Sequence, residues 1–220
     1  MLSVEQPNSD SLRSRSVERA LQPRFERSSE QVEQIMRAAV DLIRETETLD
    51  LRVTDVIAAA GVSNRAFYRH FSGKAELLMT VLEDGNRQYM EHLERRMAAC
   101  DTRVAAVECW IRGMLARAQN PSQATDTRPF ILNGMRLAYE FPEESLAADE
   151  ALRAPLREAL VAAHEAGELR ALDVERDVSH IVQLTLGHMT WSLIQRDPLS
   201  GADVEDIVAF TLAGVRRPRS

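Results

Sequence analysis

The chain has 220 residues and a formal net charge of −7. That length holds one small and one medium domain around ordinary cores, and no apolar run approaches a membrane span. An acidic total disfavours broad attraction to polyanions, so any contact with them must come from a local basic patch. No secretory apolar region opens the sequence, which leads us to expect a cytoplasmic protein without a membrane partner. Cys100 and Cys109 show neither C-x-x-C nor zinc-ligand spacing, and two ordinary thiols are expected.

In chain order, residues 1–28 are polar and lack a sustained period, which predicts a disordered arm. Arg13, Arg15, Arg19, Arg24 and Arg27 make that arm locally basic. A first helix is predicted from Ser29 to near Thr46, with Val32, Ile35, Ala39, Leu42 and Ile43 on one face. Val53, Val56, Ile57 and Ala60 mark a second, short helix, and Gly61 ends it where φ > 0 is needed. Ser63 is an N-cap for a third helix, Asn64 to Phe71, whose apolar face is Phe67 and Phe71. Arg65, Tyr68, Arg69 and His70 fall on its other sides. Two short helices around a tight turn, the second with basic and aromatic tips, are the pattern of a DNA-reading helix-turn-helix.

Ala-Gly-Val-Ser-Asn-Arg-Ala-Phe-Tyr-Arg-His-Phe (60–71), followed by Ser-Gly-Lys-Ala-Glu-Leu-Leu (72–78), resembles the DNA-binding domain of the tetracycline-repressor (TetR) family. The resemblance spans about Ile35 to Leu82. It implies an all-α protein: an N-terminal three-helix helix-turn-helix domain and a C-terminal helical ligand-binding and dimerisation domain. The expected divisions are 1–28, 29–76 and 77–220. It also implies that Ser63, Asn64, Arg65, Ala66, Tyr68 and His70 face DNA, with Lys74 on a phosphate at the next helix N-terminus. Arg65 either reads guanine through its planar fork or holds a phosphate. The basic arm either enters the minor groove or is a solvated tail. Glu47 stands where the family commonly has glycine, and Arg52 where it commonly has a capping Ser or Thr, so Asp50 or Thr54 is expected to substitute. Ile57 replaces a usual alanine and must find room between close helices.

Between Arg24 and Lys74 acidic and basic residues balance, and the acidic excess lies beyond. Gly73 and Glu76 start a long amphipathic helix through Met97. A further helix spans Thr102 to Gln119, then a loop at 120–126, then a helix from Pro129 to Tyr139. A helix over 143–166 should break or kink at Pro155. Asp173 caps the next, which runs to about Arg196, and 202–215 forms the last.

Along those last two helices, Val178, Ile181, Val182, Thr185, Met189, Val204, Ile207, Val208 and Leu212 form apolar faces. By resemblance these pair with a second subunit; by periodicity alone they serve equally as intramolecular core. Trp110, Met114, Met135, Tyr139, His188, Met189 and Trp191 form a polarizable set expected to line an effector pocket, with simple core as the alternative. No phosphate loop, nucleophile elbow or metal-ligand spacing is present, and His164, His180 and His188 lack convergent partners. No cofactor, no metal and no enzymatic activity are therefore expected. The expected protein is a homodimeric, ligand-responsive regulator, a repressor released from a pseudo-palindromic double-stranded DNA operator by a mainly apolar, uncharged or weakly charged small molecule. The alternatives are a regulator controlled by a protein partner and, least supported, an enzyme.

Overall fold

The computed structural model describes residues 12–170 and 173–215, with side chains from residue 28 onward. The described residues form nine helices: α1 (Leu12–Thr46), α2 (Val53–Ala60), α3 (Asn64–His70), α4 (Lys74–Ala98), α5 (Arg103–Gln119), α6 (Pro121–Glu140), α7 (Pro142–Glu165), α8 (Val174–Gln195) and α9 (Gly201–Val215). The all-α expectation holds.

Two apolar clusters divide the labour. The first joins Ile35, Ala39 and Ile43 of α1 to Val56, Phe67, Phe71 and the start of α4 at Leu77, Leu78 and Val81. Leu137 of α6 also enters it, so the N-terminal unit is gripped from outside its own sequence. The second unites the C-terminal half of α4 with α5, α7, α8 and α9 around Trp110, Ile111, Leu156 and Val178. α4 contributes to both, through Leu77 and Leu78 at one end and Leu93 and Met97 at the other, and α6 does so through Leu137 and Ala124.

Three expectations are corrected. α1 begins at Leu12, not Ser29. Arg, Glu, Leu and Gln between these points are good helix formers, so propensity without apolar periodicity extends the helix. Residues 1–11 of the expected arm lie outside the described residues. The expected loop at 120–126 is already α6: Pro121 occupies the first turn, and Asn120 Oδ1 accepts from Ser122 N at 3.0 Å and Gln123 N at 3.2 Å. α7 passes through Pro155 without ending, so of the expected break or kink the break does not occur.

Ion pairs also tie the helices together. Arg112 of α5 forks onto Glu205 of α9 with both contacts at 2.7 Å, and Arg157 of α7 meets Glu175 of α8 at 2.7 Å. Glu168 caps α5, accepting from Val104 N at 2.8 Å. α1 is fastened to the C-terminal half at its end. Arg44 forks onto Asp126 at 2.9 Å, and Glu47 meets Arg128 at 3.2 Å and Arg196 at 2.9 Å.

Candidate functional site

The reading head is built from local chemistry. Gly61 closes α2 in the left-handed region (φ 65°, ψ 27°), which glycine alone enters without steric cost. Ser63 then caps α3, its Oγ accepting from Ala66 N at 3.1 Å. Phe67 is fully buried, and its ring lies 5.7 Å from Phe71 and 5.2 Å, edge-on, from Tyr68. With that face fixed inward, Ser63, Asn64, Arg65, Tyr68 and Arg69 stand exposed.

Ala66 and His70 do not join them. Ala66 is buried, and His70 is half-buried with Nε2 3.2 Å from Gln31 Oε1 on α1. The two are four apart, on the row flanking the Phe67–Phe71 face, and the packing claims them. Arg69 was absent from the expected set; it lies four beyond Arg65, so the two arginines share one helical face. Ile57 finds its room at the edge of the first cluster.

Lys74 opens α4 but is engaged: its Nζ lies 2.9 Å from Asp50 Oδ1. That hydrogen bond, and the ammonium charge behind it, hold the Asp50 carboxyl below its ordinary range. Asp50 is thus unavailable to cap α2, and Thr54 Oγ1 turns to Asp55 at 3.4 Å. The N-cap Arg52 makes no side-chain cap bond, so the expected substitute caps are absent and its exposed guanidinium stands at the helix start. Glu76 reaches back to Ser72, accepting from its N–H and hydroxyl at 2.6 Å each. Those bonds depress the Glu76 pKa.

The aromatic and methionine set is not brought together. Trp110 and Met114 are fully buried, and Met189 nearly so. Met135 is 92% exposed, Tyr139 89% and Trp191 63%, with His188 also exposed. The cavity lies elsewhere, between α4, α5 and α7, with a volume of about 850 Å³. It exists because α7 faces α4 with short side chains, among them Ala147, Ala151 and Ala159, which leave the gap unfilled. Leu152 lines the cavity, and its carbonyl accepts from Trp110 Nε1 at 3.1 Å, so Trp110 stands one layer behind the wall. A second cavity, about 660 Å³, lies between α1, α4 and α6.

One wall of the larger cavity carries Arg117. Its guanidinium lies 4.7 Å from the Tyr89 ring centre, and Nη2 donates to Asn86 Oδ1 at 3.0 Å. Tyr89 is set by its hydroxyl donating to the Gly113 carbonyl. A Cβ at Gly113 would come within 2.4 Å of Leu93 Cδ1, so a larger residue there would have to shift the Leu93 side chain. Burial pushes the Arg117 pKa below arginine's ordinary value, with Tyr89 pulling the other way.

The expected dimer residues are also corrected. Val178, Ile181, Val182, Thr185, Met189, Val204, Ile207, Val208 and Leu212 are all buried within one subunit. They are intramolecular core, and the exposed apolar groups of these helices are Trp191, Ile194 and Phe210. Cys100 and Cys109 are free, and burial, with Cys100 next to it, pushes the Cys109 thiol up. Among the described residues no cluster of three metal-ligating side chains occurs, and no helix is long and apolar enough to cross a membrane.

A capped, outward-facing helix on a short helical unit, joined to a larger helical body, defines a helix-turn-helix DNA-binding protein. Residues 35–81 match the family model of bacterial regulatory proteins of the tetR family. No curated protein matches the chain in sequence. Solved structures share its fold. The transcriptional regulator FadR from Bacillus subtilis, in complex with stearoyl-CoA, is 19% identical with a TM-score of 0.68, over 83% of this chain and 98% of that one. A TetR transcription regulator from Haloarcula marismortui is 20% identical with a TM-score of 0.67, over 84% and 96%. RolR in complex with resorcinol is 12% identical with a TM-score of 0.63, over 87% and 90%.

Proposed function

We propose that this regulator is a homodimeric repressor that leaves a pseudo-palindromic operator when a small, mainly apolar molecule fills the α4–α5–α7 cavity. The observation that carries this reading is α4. Its first residue, Lys74, lies beside the reading head, and Met90 and Met97 on the same helix line the cavity. A rigid helix that a ligand displaces at one end must move or tilt at the other, which changes the separation of two reading heads. That FadR and RolR hold small molecules on the same fold supports the reading. Recognition would come from Arg65, Tyr68 and Arg69 in the major groove, with Arg52 and Lys74 on phosphates.

The test selects binding sites from random duplex DNA, then titrates compounds into the complex. A selected site with two inverted halves, and release by a compound that also raises the melting temperature, is the expected result. Selected sites without symmetry, or DNA affinity indifferent to every stabilising compound, contradict it. A second reading, control by a protein partner, has one observation in its favour. Leu132, Met135 and Tyr139 form an exposed apolar row on α6. Binding of a partner there, with no small-molecule response, would favour it.

A further inference from the structure

We propose that the α4–α5–α7 cavity takes an apolar or aromatic molecule carrying one carboxylate, and that Arg117 receives the carboxylate. The inference rests on the ligand-controlled reading above and names its ligand class.

A guanidinium has five N–H donors and a permanent charge. In Arg117 one donor is committed, to Asn86, and one face of the guanidinium is covered by the Tyr89 ring. No carboxylate of the described residues pairs with it, whereas Arg44, Arg112, Arg153 and Arg157 all have acidic partners. Charges withdrawn from water are normally paired, because desolvation is costly otherwise. Arg117 is a half-buried charge of this kind, and it lines the cavity. An entering carboxylate would find a planar fork able to bind both oxygens.

The remaining walls are apolar: Met90, Met97, Leu152 and Pro155, with the alanines of α7. They specify the body of the ligand. The rim specifies what is excluded. Glu83, Glu91, Glu94, Glu144 and Glu158 are exposed around the opening, and they outnumber its two exposed arginines, Arg103 and an Arg87 already paired with Asp84 and Glu91. In water their field is screened and hardly weakens a single anion bound past them. Against a phosphate-rich group lodged at the rim, they act at contact range. A free acid should therefore be preferred over its coenzyme A thioester. The same rim could attract an amphiphilic cation, but its carboxylates are already solvated, and the interior guanidinium is the group that lacks a counterion.

The experiment is calorimetric titration of the full chain with straight-chain and phenyl-substituted carboxylic acids. The methyl esters, alcohols, amines and coenzyme A thioesters of the best binder follow. We expect the acid to bind roughly tenfold or more tighter than its ester and alcohol. In Arg117→Gln that preference should vanish, and in Arg117→Lys part of it should remain. If Arg117→Gln does not fold, the preference in the unaltered protein decides alone. Equal affinity for acid and ester, a preference for the amine or the thioester, an unaltered preference in Arg117→Gln, or no binding of any acid overturns the proposal. Gel shifts with the same compounds keep the two readings apart. An acid that binds through Arg117 without releasing DNA leaves this site standing and removes ligand control. Release by a neutral or cationic compound alone does the reverse.

Discussion

At the scale of single residues, the reading head is restrained by one surface ion pair. Lys74 is held by Asp50, and a phosphate would have to compete with that carboxylate. Exposed pairs contribute little, so the competition is easily won but not free. Asp50→Asn should raise DNA affinity slightly and steepen its salt dependence, since it frees a cation and deletes a negative charge. Lys74→Ala should weaken binding to all sequences and lower the salt slope by about one. Fluorescence anisotropy across a salt series checks both; opposite or absent changes would put the phosphate contact elsewhere. Arg65→Ala should cost about 1–3 kcal/mol and relax one operator position if Arg65 reads guanine. A uniform loss across all operator variants would make it a phosphate contact. Much of this was legible because the chemistry is local. Gly61, Ser63, Phe67 and Phe71 specify turn, cap and buried face within a few residues. Ala66 and His70 were misplaced because their row borders the apolar face, and Gln31, which holds His70, lies far back in the chain.

At the scale of elements, the end of α1 shows a conflict that the sequence announced and the structure resolves. Glu47, standing in place of a glycine, adopts φ 49°. The left-handed region costs a residue with a Cβ about 1–2 kcal/mol. Glu47 in return joins α1 to Arg128 of α6 and Arg196 at the end of α8, and Arg196 is itself left-handed at φ 57°. Arg128 is only 12% exposed and also donates Nε–H to the Leu193 carbonyl at 2.7 Å, so its charge needs the Glu47 carboxylate. Glu47→Gln keeps the strain and loses the charge, and should destabilise by about 1–2 kcal/mol, less than for a fully buried pair. Glu47→Gly loses the same pairs but relieves the strain, and should lie closer to the natural protein. Denaturant titration of both variants checks the order; Glu47→Gln as stable as the parent would show the contacts to be incidental. Helix boundaries were legible where caps are local, as at Thr102 and Asp173. They were missed where a loop signal doubled as a helix start: Asn120-Pro121 reads as a turn, yet asparagine caps and proline fits the first turn.

At the scale of the whole molecule, sequence periodicity finds apolar faces but not what covers them. α8 and α9 each carry more apolar surface than one core face needs. Ile181, Val208 and Leu212 were legible as buried positions, and the structure shows them covered by their own subunit. The cavity was illegible for a related reason, since it is made by alanines that fail to fill space and by one arginine without a carboxylate partner among the described residues. No pattern of large side chains marks such a site. For the dimer, the groups left over are the informative ones: Trp191 at 63% exposure, Phe210 at 73% and Ile194 beside them. Under the proposed dimer, large exposed apolar groups on α8 and α9 would form the association surface, and small neighbours such as Gly187 and Ala213 would permit close approach. Trp191→Glu with Phe210→Glu should therefore give a folded monomer, since both side chains already lie in water when the subunit is alone. Ile181→Glu should instead unfold the subunit, because a charge would enter a sealed core. The monomer should bind a full operator far more weakly, having lost the second half-site's effective concentration. Light scattering gives the mass and thermal melting the fold. A double glutamate variant that remains dimeric would move the interface to another face, and one that unfolds would show these side chains to be covered within the subunit after all.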